Sequence, residues 1–203
     1  MQYTNPTDKK IIQVSIFIIF VIIALFSHLV QNYTLDDALI YYRYIHNAIN
    51  GDGLVYNIGE KFNGLTSPFY TYISLLLAFI FKEIELIQMI LGGLFFFLTC
   101  VLSIFVLYNT KLPAIICVIP AIMISSCRYF YLTFGLETTL FLFFIVLSIF
   151  LYQKQKYYAL GVVAALMFLT RGESLFLILT LIAYHFVEKR KFPSWKVFII
   201  PIL

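Results

Sequence analysis

A run of apolar residues from Ile11 to Val30, preceded by Lys9 and Lys10, constrains this chain more than any other feature. About 20 such residues in helical geometry span a lipid bilayer. Further apolar runs follow at 68–81, 86–108, 113–130, 136–152, 157–170 and 174–187, and another begins near Val197. Hydrophobic residues make up 62% of the 203 and charged residues only 12%. A soluble domain of this length could not hide that much apolar surface. The expectation is an all-α integral membrane protein, because helices satisfy their own backbone groups in lipid. The first run ends in SHLVQNYT with no small-x-small cleavage site, so it reads as a retained helix with its N-terminus inside. The net charge of +4 reads as membrane topology and requires no nucleic acid.

Charge also arbitrates the ambiguous run SPFYTYISLLLAFIF at 67–81, which starts at Pro68 and is short for a span. Suppose it lies along the outer membrane face without crossing. Then Lys9, Lys10, Lys111, Lys154, Lys156, Lys189, Arg190, Lys191 and Lys196 fall inside, nine of the 14 basic residues. Arg43, Lys61, Lys82, Arg128 and Arg171 stay outside, with eight of the ten acids, all but Asp8 and Glu188. If 67–81 crosses, the basic blocks QKQK and EKRK move outside, against the positive-inside rule. The expected architecture is a transmembrane helix bundle with one large external loop, 31–85, that carries two juxtamembrane helices. The first covers about Leu35 to Asn50, with an apolar stripe of Leu35, Leu39, Tyr42, Ile45 and Ile49. Thr34 is its expected N-cap, and Asp36 and Asp37 fall in its first turn, where the helix dipole favours carboxylates.

On this topology four polar clusters share the outer side: Asp36 and Asp37 with Arg43, Arg128 in SSCRYF, Glu137 in FGLETTLF, and Arg171 with Glu173 in LTRGES. Arginines at helix ends can simply snorkel to the interface. Arg171 asks for more. Its flanking runs have only about 14 apolar residues each, roughly 21 Å of helix against a hydrocarbon core of about 30 Å. The RGE turn is therefore expected to be recessed, and a recessed charged turn must line a wet or protein-walled cavity. Arginines and carboxylates in such a cavity suit a lipid with an anionic head group. Cys100, Cys117 and Cys127 show neither metal spacing nor a disulfide framework and read as packing.

The stretch DDALIYYRYIHNAINGDGLVYNIGEKFNGLTSPFYTYI (36–73) resembles the first external loop of the GT-C polyprenyl-phosphate-dependent glycosyltransferases. It is most similar to the terminal arabinofuranosyltransferase family of actinobacterial cell walls. FGLETTLF (134–141) and LTRGESLF (169–176) resemble later family blocks of the form GLET and TRPE, with Gly172 where that family commonly has proline. Family members are longer. This chain ends at FIIPIL inside an apolar run, so 1–203 reads as the N-terminal part of one GT-C-type membrane domain, without the usual C-terminal helices.

The resemblance implies a GT-C fold and inverting transfer from a polyprenyl-phosphate sugar donor to a glycan, lipid or protein acceptor. It places that reaction on the extracytoplasmic face of a bacterial inner (plasma) membrane, and it makes an aspartate early in the loop the catalytic base. The acceptor hydroxyl loses its proton as it attacks the anomeric carbon, and a positioned carboxylate takes it. Asp36 is the expected base, with Asp37 as its partner or as a metal ligand; the one candidate cofactor is a divalent metal, with Asp36 and Asp37 as its candidate ligands. Arg171 and Arg128 are expected to contact the donor phosphate, offsetting charge on the leaving group. Arg43, Glu137 and Glu173 join them as candidate substrate contacts. Tyr41 and Tyr44 are candidate sugar-stacking residues, although aromatics at a membrane interface have the same signature. The rival expectations are an inactive truncated remnant and a non-catalytic binding or transport protein for lipid-linked sugars. The latter would need charges along a through-membrane path, whereas these gather at the outer end.

Overall fold

A computed structural model describes residues 5–31, 33–60 and 64–190, and every regular element among them is a helix. The helices are α1 (Pro6–Val30), α2 (Asp36–Ile49), α3 (Pro68–Phe81), α4 (Ile84–Tyr108), α5 (Ala114–Ser125), α6 (Arg128–Leu132), α7 (Thr138–Gln153), α8 (Tyr157–Thr170) and α9 (Ser174–Lys189). Lys61, Lys191, Lys196 and the run near Val197 lie outside the described residues. α1 and α4, of 25 residues each, are long and apolar enough to cross a membrane. Asn5 caps α1 by accepting from the Thr7 N–H at 3.0 Å, and Pro6 supplies a first helical residue with no N–H to satisfy.

α4 is the central element, in contact with α1, α2, α3, α5, α6 and α7. On one side of it Ile12, Ile19, Ile23, Phe96, Val118 and Tyr131 form a buried core between α1, α5 and α6. On the other, Tyr41, Ile45, Tyr70, Leu91, Phe144 and Met167 form a second core with α2, α3, α7 and α8. The outward faces stay apolar: Phe17, Leu29, Leu76 and Phe176 are each 66–76% exposed.

Side-chain contacts fix the helix directions. Tyr108, at the end of α4, donates to Asp8 near the start of α1 at 3.2 Å, so the two run antiparallel. Asn109, just past α4, donates to Gln153 at the end of α7 at 3.0 Å, so α4 and α7 run parallel. Tyr152 near the end of α7 donates to Glu188 near the end of α9 at 2.7 Å. One end of the bundle thus collects Lys9, Lys10, Lys111, Lys154, Lys156, Lys189 and Arg190, and the other collects Asp36, Asp37, Glu83, Glu85, Arg128, Glu137, Arg171 and Glu173. The sorting of charge expected from the sequence is therefore present in three dimensions. α3 begins beside Tyr41 and ends two residues before α4, so it stays at the acidic end and does not run the length of the bundle.

Three local expectations are corrected. The run 113–130 is not one helix: α5 ends at Ser125 and α6 starts afresh at Arg128. Both Ser125 and Ser126 donate their hydroxyls to the carbonyl of Ile122, at 2.9 and 3.0 Å, and Tyr131 donates to the carbonyl of Ser125. The Ile122 carbonyl keeps its helical bond from the Ser126 N–H at 3.1 Å, whereas the Ser125 carbonyl, which a continuing helix would have given to residue 129, is taken by the Tyr131 hydroxyl. The buried face of α2 is Ala38, Tyr41, Tyr44 and Ile45, rotated from the expected stripe, and Leu39 is 45% exposed. Polar tyrosines belong to that face because their hydroxyls find buried partners. The N-cap of α2 is Leu35, with no side-chain capping bond, in place of Thr34. Asp36 and Asp37 do occupy the first turn.

Candidate functional site

Tyr41 points from α2 into the acidic end of the bundle. Its hydroxyl donates to Oε2 of Glu137 at 2.9 Å and lies 2.8 Å from Oγ1 of Thr66. The ring is buried, edge-on to Tyr70 of α3 with centroids 5.4 Å apart. Burial, and beyond it the Glu137 carboxylate, hold the Tyr41 hydroxyl well above the usual phenol range. It therefore stays protonated and remains a donor to Glu137. Glu137, 8% exposed, is the N-cap residue of α7 and its carboxylate makes no capping bond. Instead, Oε1 faces Nη1 of Arg171 at 3.7 Å.

Arg171 ends α8 in an extended conformation, φ −152° and ψ 126°. Its carbonyl accepts from the Ser174 N–H at 3.1 Å, which closes the tight RGES turn and starts α9. The guanidinium also lies 3.5 Å from Glu173 and 5.9 Å from the centroid of Phe141. The side chain remains 39% exposed, so part of its donor fork is open to a ligand. Its interaction with its own backbone N–H, then the Arg171 guanidinium, hold Glu173 below the usual carboxylate range. The hydroxyls of Ser67 and Ser174 are buried with no partner among the described residues.

Packing positions the carboxylate. Gly92 of α4 admits the ring of Phe134, since a Cβ at 92 would lie 2.8 Å from Phe134 Cγ. Gly135 follows at φ +97°, a conformation that favours glycine, with Ala38 of α2 seated over it. These two glycines let the α6–α7 turn settle between α2 and α4, two residues before Glu137.

Among the expected site residues, Tyr41, Glu137, Arg171 and Glu173 come together; the others do not. Arg43 donates to the carbonyl of Tyr56 at 2.9 Å and to Asn57 at 3.4 Å, with its guanidinium 4.7 Å from the Tyr56 ring, so it clips the 50–60 loop onto α2. Tyr44 is 1% exposed and its hydroxyl accepts from the Gly64 N–H at 2.9 Å, which leaves no ring face open for sugar stacking. The 4% exposed ring of Tyr41 is likewise covered. Arg128 opens α6, which packs on α1 and α4, whereas Arg171 ends α8, which packs on α3 and α7. Arg128 forms no ion pair among the described residues.

Asp36 and Asp37 are exposed at the start of α2. At about 100° per residue, Asp37 projects roughly 40° from Tyr41 and Asp36 roughly 140°. Consecutive helical residues do not converge on one point, so the pair does not form a cage by itself. Among the described residues no three His, Cys, Asp or Glu side chains cluster as a metal site. Thr66, Ser67 and Tyr70 were not singled out from the sequence, although TSP belongs to the stretch that carries the resemblance. No family model, curated protein or solved structure matches this chain.

Proposed function

We propose that this chain is an integral membrane protein of GT-C type that transfers a sugar from a polyprenyl-phosphate donor to an envelope glycan, lipid or protein acceptor on the extracytoplasmic face. One observation carries the reading. The three sequence blocks that bear the resemblance lie far apart in the chain, yet they meet in one cluster through Tyr41 and Thr66, Glu137, and Arg171. The apolar outer faces of α1, α3 and α9 support insertion in lipid, and the basic residues at the opposite end support the orientation.

In this reading Glu137 and Glu173 orient the Arg171 fork, and its open donors take the donor phosphate. Because Glu137, Glu173 and Arg171 together carry one net negative charge, a divalent ion bound with the donor would balance the phosphate; Asp37 projects toward that side. Asp36, turned to the outward flank of α2, takes the proton of an acceptor that reaches the donor from that flank. A transporter would place charge midway along α4, α7 or α8, and those helices carry none there.

The test is donor binding by the purified chain in lipid nanodiscs, with a polyprenyl-phosphate-linked arabinofuranose and polyprenyl phosphate alone as probes. Arg171→Ala is expected to weaken both at least about tenfold, and Arg171→Lys to restore binding only partly, because the planar fork is lost. Unaltered affinity in Arg171→Ala would return the residue to a snorkelling role and sink the proposal.

A further inference from the structure

The basic end of the bundle holds a cavity of its own, away from the Arg171 cluster. The ends of α7 and α9, the turn between α7 and α8, and Asn109 beyond α4 line a space of about 450 Å³. Small-molecule sites run from about 300 to 1,000 Å³. The cations of the wall are accessible. Lys154 is exposed, and its Nζ donates to Oδ1 of Asn109 at 2.9 Å. The Lys189 side chain is 44% exposed, with Nζ 2.9 Å from Oε1 of Glu188. An ammonium carries three donors, so each lysine keeps donors for a ligand. Glu188, the carboxylate of the wall, is engaged at both oxygens, Oε1 by Lys189 and Oε2 by the Tyr152 hydroxyl at 2.7 Å.

Charge and depth together choose the ligand. Lys154 and Lys189 against Glu188 leave the wall a net charge of +1, and the exposed Lys156 and Arg190 flank it. An anion is attracted there, and the ammonium of a zwitterionic head group is repelled. Deeper in, Ile149 and Leu181 replace the polar groups. They precede Gln153 and Lys189 by four and eight residues, which places them roughly 6 and 12 Å towards the middle of the bundle. A small soluble phosphate gains nothing from that apolar wall, whereas a lipid with its phosphate at the lysines lays an acyl chain on it. Tyr184, 56% exposed, adds aromatic surface of the kind that sits at head-group level. α9 packs on α8 and meets α7 at this end through Tyr152, whose ring lies 5.6 Å from that of Tyr184. A lipid seated here therefore bridges α7 and α9. We infer that this cavity binds an anionic glycerophospholipid of the leaflet at the basic end, with Lys154 and Lys189 donating to its phosphate and Ile149 and Leu181 carrying the start of an acyl chain. The inference rests on the membrane insertion in the reading above and not on its transfer chemistry.

Native mass spectrometry of the purified chain counts bound lipids as phosphatidylglycerol or phosphatidylethanolamine of matched chains is titrated in. Phosphatidylglycerol is expected to fill a first site at least about fivefold more tightly than phosphatidylethanolamine. Lys154→Gln with Lys189→Gln is expected to remove that preference while keeping helical content. Lys9→Gln with Lys10→Gln takes the same charge from the same end outside the cavity, and is expected to leave the preference intact. Glycerophosphoglycerol, the same head group without chains, is expected not to displace the lipid at millimolar concentration. Arg171→Ala is expected to leave binding unchanged, which separates this result from the fate of the donor site, and retention of the chain in carbonate-washed membranes reads insertion separately. Gln155→Cys, in a chain lacking Cys100, Cys117 and Cys127, gives a second reading in nanodiscs without touching either lysine. Phosphatidylglycerol discs are expected to slow its modification by a soluble maleimide about threefold or more relative to phosphatidylethanolamine discs. The inference is overturned if the two lipids bind alike, if the preference survives the paired Gln substitutions at 154 and 189, or if it falls as far with those at 9 and 10 or with Arg171→Ala. Displacement by the soluble head group, or equal labelling in the two discs, overturns it as well.

Discussion

The Tyr41 hydroxyl and the Glu137 carboxylate, 96 positions apart in the chain, meet at 2.9 Å in the buried acidic end of the bundle. The contact ties α2, the first helix of the loop, to the start of α7. A hydrogen bond to a charged, buried acceptor contributes about 1.5–3 kcal/mol. Tyr41→Phe is therefore expected to destabilise the chain by roughly 1–3 kcal/mol. In a double-mutant cycle with Glu137→Gln the two effects should be sub-additive. Thermal or denaturant unfolding in one fixed detergent measures this, and strictly additive losses would show that the pair is not coupled.

The RGES turn has room for the proline found in the resembling family. Arg171 is already extended, as the residue before a proline must be, and Gly172 occupies the second position of the turn closed by Ser174. A Cβ at Gly172 would meet nothing within 4 Å. Gly172→Pro should then raise stability by about 0.4–1 kcal/mol, by restricting the unfolded chain, and leave donor binding unchanged. A lowered melting temperature would mean that Gly172 serves a conformation proline cannot adopt.

Topology can be read in intact cells. In a background without the three cysteines, single cysteines at Asp52 and Lys82, both exposed positions, are expected to react with an impermeant thiol reagent. A cysteine at Lys156, at the basic end, should react only after permeabilisation. Protection at Lys82 with reaction at Asp52 would mean that α3 crosses the membrane.

The two aspartates are expected to separate by size of effect. Either carboxylate could favour the helix start through the dipole, a contribution of about 0.3–1 kcal/mol. General-base assistance is typically worth about 10²–10⁴ in rate. In membranes where transfer is measurable, Asp36→Asn should retain expression and donor binding and lose transfer at least about a hundredfold. Asp37→Asn should instead weaken donor binding in the presence of magnesium, as expected of a group that helps hold an ion against the phosphate. Normal transfer by both variants at matched protein levels would leave the aspartates as helix-start residues.

Hydropathy and charge alone determined the helical class, the limits of α3, α4, α7, α8 and α9 within about two residues, and the separation of basic from acidic ends; α1 begins at Pro6, five residues before its apolar run. Those properties are local or additive: a long apolar run must find an apolar surrounding, and charge sidedness follows from summing over loops. The polar clusters containing Glu137 and Arg171 could be marked for the same reason, as charges set beside apolar helices. What no local property could reveal was the partner of each charge. Arg43 and Arg171 look alike in sequence, yet one is spent on a loop carbonyl and the other faces two carboxylates. The buried face of α2 was misplaced because Tyr41 and Tyr44 are buried through hydroxyl bonds to Glu137 and Gly64, which hydrophobic periodicity does not register. The break between α5 and α6 likewise involves a hydroxyl, that of Tyr131, taking the Ser125 carbonyl inside an otherwise apolar run. Only the tertiary structure joined Tyr41, Thr66, Glu137 and Arg171, because the elements that carry them are distant in the chain and meet through side-chain contacts that no local pattern encodes.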